Sequence, residues 1–396
     1  MMEISNKFKA IAPSPTLMID SKFKQMKAEG MDVVGFGAGE PDFDTPRHIK
    51  EAAIEAINSG FTKYTPASGT LDLKKAICAK LLRDNGLTYD PTQIVVSNGA
   101  KHSLINAFGA ILNPGDEVII PAPFWVSYPE MVKYNDGVPV ILNTTEENGF
   151  KFSADEFKAA ITPKTKAIVL NSPSNPTGMV YTEDELKAIA DVAVENNIFV
   201  ISDEIYEYLV YDGVKHKSIA SFNDKIKDLT IIINGVSKTY AMTGWRIGYT
   251  ASNPSIAKAM SNVQSHTTSN PNSIAQAATV AALNGPMDDL KVMIKAFDER
   301  RKYMAERINS IDGVSCLVPQ GAFYVMMNIS ALKGRTIAGK VINGSDDFAE
   351  VFLEKQLVAV VPGTGFAAPD YVRWSYATSM ENIKEGIDRL EKLLNS

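Results

Sequence analysis

Two hydrophobic rhythms run along this chain. Between residues 93 and 251, short apolar runs recur: QIVVS (93–97), EVII (117–120), VPVIL (138–142), AIVL (167–170), IFVIS (198–202), TIII (230–233) and RIGYTA (246–251). Continuous runs of this length, bounded by turn residues, predict strands, most of them buried on both faces. Between them, residues 102–112, 124–134 and 182–197 repeat apolar positions at helical spacing. The last of these opens TEDEL, a threonine cap followed by an acidic first turn. Such alternation predicts an open, mostly parallel α/β sheet covered by helices. The ends of the chain differ. Residues 46–60 and 70–85 predict amphipathic helices, and a long charged helix starts near 287. After it, VSCLVP, AFYVMMNI, VAVVP and VRWSYA predict strands, and 380–394 a final helix. The pattern divides into a large domain at 46–289 and a smaller α+β domain built from both ends, 1–45 and 290–396.

Composition narrows the classes of function. The chain has 396 residues, 45% of them hydrophobic, and a net charge of −6. That is room for one large and one smaller domain with an ordinary core. The acidic balance gives no electrostatic case for nucleic acid or an anionic membrane. No run of 18 apolar residues occurs, and MMEISNKFKA lacks a signal core. Two distant cysteines, Cys78 and Cys316, suit reduced thiols in a cytoplasmic protein. The four histidines share no metal-ligand spacing, so no metal site is expected.

The chemistry gathers where strands end. Asn98-Gly99-Ala100-Lys101 follows the first run and opens a helix, N-S-P-S-N-P-T-G holds Asn175 in a proline-bounded turn, Asp203-Glu204-Ile205-Tyr206 follows the fifth run, and Gly235-Val236-Ser237-Lys238 the sixth. In parallel sheets the carboxyl ends lie along one edge, where ligands bind. The glycine-led helix start offers backbone N–H groups to a phosphate. Lys238 has no acidic neighbour between Asp228 and Asp288, which is unusual for a surface ammonium. A phosphate cradle, an amine, a carboxylate and a phenol together match pyridoxal phosphate. Its aldehyde condenses with a lysine, and its ring nitrogen works as an electron sink when a carboxylate keeps it protonated. Trp125 has the flat face to stack on that ring, and Arg246 the fork to clamp a phosphate.

At this point the chain resembles the class I aminotransferases, the fold type I pyridoxal-phosphate enzymes, and is most similar to their bacterial aspartate aminotransferase subgroup. The resemblance rests on G-V-S-K-x-x-A-M-x-G-x-R-I-G (235–248), and continues in order through G-A-G-E-P-D-F-D-T-P (37–46), K-Y-T-P-A-S-G (63–69), P-F-W-V-S-Y (123–128), S-D-E-I-Y (202–206), G-A-F-Y (321–324) and V-R-W-S-Y-A (372–377). It implies a transaminase that moves the amino group of aspartate to 2-oxoglutarate by ping-pong half-reactions. Lys238 would be the Schiff-base lysine and proton shuttle, Asp203 the partner of the pyridinium, and Tyr206 and Asn175 the partners of the ring hydroxyl. Gly99, Ala100, Lys101, Ser237 and Arg246 would hold the phosphate. Tyr64 would reach that phosphate from a neighbouring subunit, which implies a homodimer with active sites at the interface. Arg373 would bind the substrate α-carboxylate with Asn175 and the Gly39 backbone, Trp125 would stack, and Lys101 and Thr16 would meet a distal carboxylate. Many relatives carry serine where this chain has Gly235, and Ser237 is the candidate to serve the phosphate in its place. An aminotransferase for aromatic amino acids or prephenate, or a β-lyase of the same fold, satisfies the same motifs.

Two glycine patterns point elsewhere. Gly334–Val341 nearly spells a phosphate loop, but Val341 stands where a hydroxyl must reach magnesium, so it reads as a surface loop. Gly35, Gly37 and Gly39 have the wrong spacing for a dinucleotide fingerprint. The charged run 298–301 reads as a solvated helix face.

Overall fold

The computed structural model describes residues 3–13 and 15–395, and side chains throughout except those of residues 15, 17 and 20. Its centre is a seven-stranded sheet made of β1 (Ile94–Ser97), β2 (Glu117–Ala122), β3 (Val138–Asn143), β4 (Thr165–Asn171), β5 (Phe199–Asp203), β6 (Thr230–Gly235) and β7 (Gly248–Ala251). The spatial order is β1-β7-β6-β5-β4-β2-β3. Neighbours are parallel except at β7, which runs antiparallel to both β1 and β6. The expected strands are all present, within about two residues of their sequence limits.

Two expectations need correction here, and one strand lies outside the buried majority. VPVIL forms the edge strand β3, and Val138 and Ile141 stay 44% and 40% exposed. Pro139 cannot donate to a second neighbour, and that suits an edge. The helix expected at 124–134 begins only at Ser127, because β2 runs on through Pro121 and Ala122 before the chain turns. RIGYTA enters the sheet only at Gly248, since Arg246 is left-handed at φ 57° after a 3-10 turn at Thr243–Trp245.

The helices are set by local signals. Thr182 caps Glu183–Asn196 through a reciprocal pair: Glu185 N–H donates to Thr182 Oγ1, and Thr182 N–H to Glu185 Oε2. Asp288–Asn309 is the long charged helix leaving the sheet region. Its 298–301 run is a solvated face only in part: Glu299 is exposed, but Arg301 is not. Arg301 is 1% exposed, and donates to Pro319 O (2.7 Å) and Asp212 (2.7 Å) with its guanidinium over the Tyr211 ring. A buried arginine is tolerated because every such bond and its acidic partners compensate the lost water.

The smaller layer is a four-stranded antiparallel sheet, β8 (Ser315–Cys316), β9 (Tyr324–Asn328), β10 (Val361–Pro362) and β11 (Tyr371–Ser375), in the order β10-β11-β9-β8. VAVVP divides: Val358–Ala359 pairs in parallel with Val34–Gly35, whereas Val361–Pro362 joins β11. Val34–Gly35 thereby ties the early chain to the late chain, and Phe36 packs on Trp374 at 4.6 Å between ring centroids. The near phosphate loop is a hairpin, Thr336–Ile337 against Lys340–Val341, and its two turn residues, Ala338 and Gly339, both have positive φ (47° and 88°). Among the described residues, no helix is long and apolar enough to cross a membrane.

Candidate active site

The sheet topology decides which residues meet. β1, β4, β5 and β6 point the same way, so Asn98, Asn171, Asp203 and Gly235 leave the sheet at one edge. Because β7 runs the other way, its beginning lies at that edge: Gly248 is paired with Gly235 on one side and Ser97 on the other. Arg246, two residues earlier, is delivered beside Gly99. A Cβ on Gly99 would stand 2.3 Å from Arg246 Nη2, and Gly99 itself has φ 84°, so no other residue fits without displacement. Arg246 Nη1 donates to Thr243 O at 2.9 Å. The helix Ala100–Ile111 starts here, and its first N–H groups lack intrahelical acceptors by geometry.

The other side of the cleft comes from the small sheet. Arg373 lies on β11, opposite Met326 of β9 and Val361 of β10. It is 2% exposed. Nη1 donates to Asn175 Oδ1 (2.9 Å) and Nη2 to Gly37 O (3.0 Å), while Nε is buried without a partner. The guanidinium is sandwiched between the rings of Tyr324 (4.4 Å) and Phe366 (5.1 Å). Burial lowers its pKa from the ordinary value. Among the described residues no carboxylate lies within ion-pair distance of it, whereas the buried Arg301 has two. A buried cation without a counter-charge is costly, and its compensation is an anionic ligand.

Lys238 is half-buried on the floor of the cleft. Its Nζ donates to Gly39 O and lies over the Phe323 ring. Burial lowers its pKa to about 8; Glu40 opposes the shift, and the Arg246 and Arg373 charges add to it. The side chain is therefore a lysine with an appreciable neutral fraction near neutrality. Asp203 is 4% exposed, and burial raises its pKa to about 6. Tyr128 Oη donates to its Oδ2 at 2.7 Å and Ile205 N–H to its Oδ1 at 3.3 Å. Asn171 orders the next turn: its Oδ1 accepts from Asn175 N–H (2.8 Å), and its Nδ2 donates to Asp203 O (3.0 Å).

These groups surround one cavity of about 410 Å³. It brings together Thr16, Gly39, Ala100, Lys101, Trp125, Asn175, Asp203, Tyr206, Ser237, Lys238, Arg246 and Arg373. Gly99 stands behind the wall, against Arg246. Tyr64 is not in the lining and is 92% exposed. Lys101 Nζ lies over the Trp125 ring at 4.9 Å, and its pKa is lowered by burial and then by Arg246. A Cβ on Gly235 would sit 2.9 Å from Ile247 O and 3.0 Å from Gly248 Cα, which leaves no easy place for a serine there, while Ser237 reaches the cavity. Four cations, Lys101, Lys238, Arg246 and Arg373, face two anions, Asp203 and Glu40, so the cavity suits ligands that carry several negative charges.

A phosphorylated pyridine aldehyde fits this donor set. The Gly99 close approach, the helix start and Arg246 would cradle its phosphate, Lys238 would supply the amine, and Asp203 a buried carboxylate for a ring N–H. Among the lining residues that sequence reasoning missed are Tyr128, Tyr324 and Glu40. Tyr128 and Tyr324 stood inside quoted motifs without an assigned role; Tyr324 Oη lies 3.0 Å from Tyr206 Oη. Glu40 accepts from Thr243 Oγ1 at 2.6 Å and so joins the 37–45 loop to the Arg246 turn. Spacing gave one hint only, since Tyr128 is one helical turn from Trp125. Behind the site, Glu204, Glu207 and His216 bring their ligand atoms within 4.8 Å, a group that histidine spacing did not suggest. Glu207 is already paired with Lys80 and accepts from Asn85 and Asn234; Glu204 accepts from Ser202 and Ser218.

Comparison with known proteins agrees in scale. Residues 31–390 match the family model of aminotransferase class I and II. The chain is 51% identical over 391 residues, 99% of both chains, to an aspartate aminotransferase of Bacillus sp. (strain YM-2). It is 47% identical, over the full length of both, to an aspartate/prephenate aminotransferase of Nitrosomonas europaea. In three dimensions it resembles the aspartate aminotransferase of Rhizobium meliloti (TM-score 0.96, 44% identity, 100% and 99% of the two chains) and that of Thermus thermophilus with maleate (0.94, 42%, 99% and 100%).

Proposed function

Since the chain belongs to the class I and II aminotransferases, pyridoxal-phosphate-dependent transaminases of fold type I, we propose that it transfers the amino group of aspartate to 2-oxoglutarate in two ping-pong half-reactions. The observation that carries this reading is Arg373, a buried cation with two hydrogen-bonded nitrogens, one orphaned nitrogen and no carboxylate partner among the described residues. It binds the α-carboxylate with Asn175 and the Gly39 backbone, and so fixes which bond of the α-carbon faces the cofactor. Bound pyridoxal phosphate supplies an aldehyde that captures amines and a protonated ring that withdraws electrons from the carbon losing its proton. Gly99, Ala100 and Lys101 N–H groups, Ser237 and Arg246 would hold the phosphate, Asp203 would serve the ring nitrogen, Tyr206 and Asn175 the ring hydroxyl, and Trp125 the ring face. Lys238, neutral in part because it is buried near two guanidiniums, takes the proton from the substrate α-carbon and later returns one. Lys101 and Thr16 receive the distal carboxylate. Tyr64, idle within one chain, serves the phosphate of a second copy, which makes the working unit a homodimer. A cytoplasmic setting and the two-domain division at 46–289 complete the reading.

A second donor class is favoured by one finding, the aspartate/prephenate name of the Nitrosomonas relative. Rates for a panel of amino donors with 2-oxoglutarate, and for prephenate as acceptor, separate the two. Aspartate should be the best or near-best donor, and Lys101→Ala should depress aspartate far more than phenylalanine. If aspartate is a poor donor, the substrate assignment fails. Release of ammonia in place of a transferred amino group would move the enzyme to the β-lyases.

A further inference from the structure

The Asp203 carboxylate has a donor that the proposed mechanism does not use. Tyr128 sits in the first turn of the helix Ser127–Tyr134, one turn from Trp125, and its ring meets the indole edge-on at 5.4 Å. The side chain is 2% exposed, and its hydroxyl ends 2.7 Å from Asp203 Oδ2. Among the described residues the other carboxylate oxygen receives only the longer Ile205 N–H bond, at 3.3 Å. We propose that Tyr128 is a positioning residue whose phenol holds the Asp203 carboxylate ionised and turned toward the cofactor's ring nitrogen. The inference rests on the assignment of Asp203 to that nitrogen.

Asp203 is buried at the end of β5, and burial alone favours its neutral form. A neutral acid does not keep a ring nitrogen protonated. The groups facing Asp203 are Tyr128 from the helix, Glu204 beside it on the chain, Tyr206 on the following turn and Lys238 from the loop after β6. Glu204 disfavours the charge, and Lys238 favours it. Tyr128 is the shortest hydrogen bond and the one donor aimed at Oδ2. The phenol's own pKa is raised well above ordinary, first by burial and then by Asp203, so it stays a donor throughout the working pH range.

The test starts from holoenzyme and measures the dissociation constant of pyridoxal phosphate by dialysis between acid and mildly alkaline pH. Four proteins are compared: wild type, Tyr128→Phe, Asp203→Asn, and the double variant. Affinity should fall as pH drops through the Asp203 titration, and Tyr128→Phe should move that midpoint upward by roughly one pH unit, as loss of a hydrogen bond to a charged group implies. In the Asp203→Asn background the midpoint should vanish and Tyr128→Phe should add nothing to it. An unmoved midpoint in Tyr128→Phe, or an equal effect of it with Asn at 203, overturns the inference while the Asp203 assignment stands. If Asp203→Asn binds cofactor as wild type does, both fall. Phe keeps the packing against Trp125; should that variant not fold, Tyr128→Met fills the space without a donor and gives the same readout.

Discussion

Single side chains carry the chemistry here through what surrounds them. Lys238 has no acidic neighbour in sequence, and in space it has burial and two guanidiniums, which lower its pKa to about 8. Its neutral, nucleophilic fraction grows as pH rises through that value. Reconstitution of the cofactor-free chain with pyridoxal phosphate should therefore accelerate with a midpoint close to pH 8, followed by the appearance of bound-cofactor absorbance; a midpoint in the ordinary lysine range would contradict the assignment. Asp203 shows the opposite balance. Its folded pKa, about 6, lies above the unfolded value, so its contribution to stability is complete below the unfolded pKa and is lost as pH rises through about 6. At pH 7 the buried charge costs the cofactor-free chain on the order of 3 kcal/mol. Cofactor-free Asp203→Asn should thus melt higher than wild type at pH 7 and nearly level with it at pH 4, while holding the cofactor less tightly. The type and place of both residues were legible in the sequence, because each follows an apolar strand. Their protonation was not, because burial is a property of the packed chain.

At the scale of elements, one reversed strand does much of the assembly. β7 brings its first residues, not its last, to the ligand edge, and Gly248 lets the strand approach so closely that a Cβ would stand 2.2 Å from Ala100 N. Periodicity located this strand but says nothing of its direction, so the contact of Arg246 with Gly99 emerged only from the sheet. The helix Leu71–Asn85 is locked to the same region by an ion pair. Lys80, 1% exposed, meets Glu207 on the turn after β5, and Glu207 accepts from Asn234, whose own Oδ1 receives Gly235 N–H at 2.7 Å. The pair thereby braces the segment leading to Lys238. Lys80→Met leaves a carboxylate buried among two amides and should lower unfolding free energy by about 3–5 kcal/mol in urea titration. Adding Glu207→Gln should recover most of it. If Lys80→Met is neutral alone, the pair has no structural weight.

For the whole molecule, the surface left uncovered by one chain matters most. Ile54, Ile57, Phe61, Tyr64 and Leu71 are 55%, 54%, 39%, 92% and 55% exposed within a single stretch of sequence. Ile54 and Ile57 share one helix face, so the stretch offers apolar area to a second copy. If Tyr64 completes the neighbouring site, a mixture of Lys238→Ala and Tyr64→Ala chains should form heterodimers holding one wild-type site. Cofactor affinity should then rise above that of the Tyr64→Ala homodimer. A monomer in sedimentation, or a mixture no better than its parts, would remove the shared-site reading.

The sequence by itself determined the strands and helices, the order of the motifs, the lysine, the aspartate and the glycine cradle. These depend on local hydrophobic rhythm and on conformational needs that one residue type meets. Only the tertiary structure decided that β3 is an edge, that Arg301 is buried, that Tyr128 bonds Asp203 and that Arg373 meets no anion among the described residues. Each of those follows from which surfaces lose water when distant segments pack, and no local pattern records that loss.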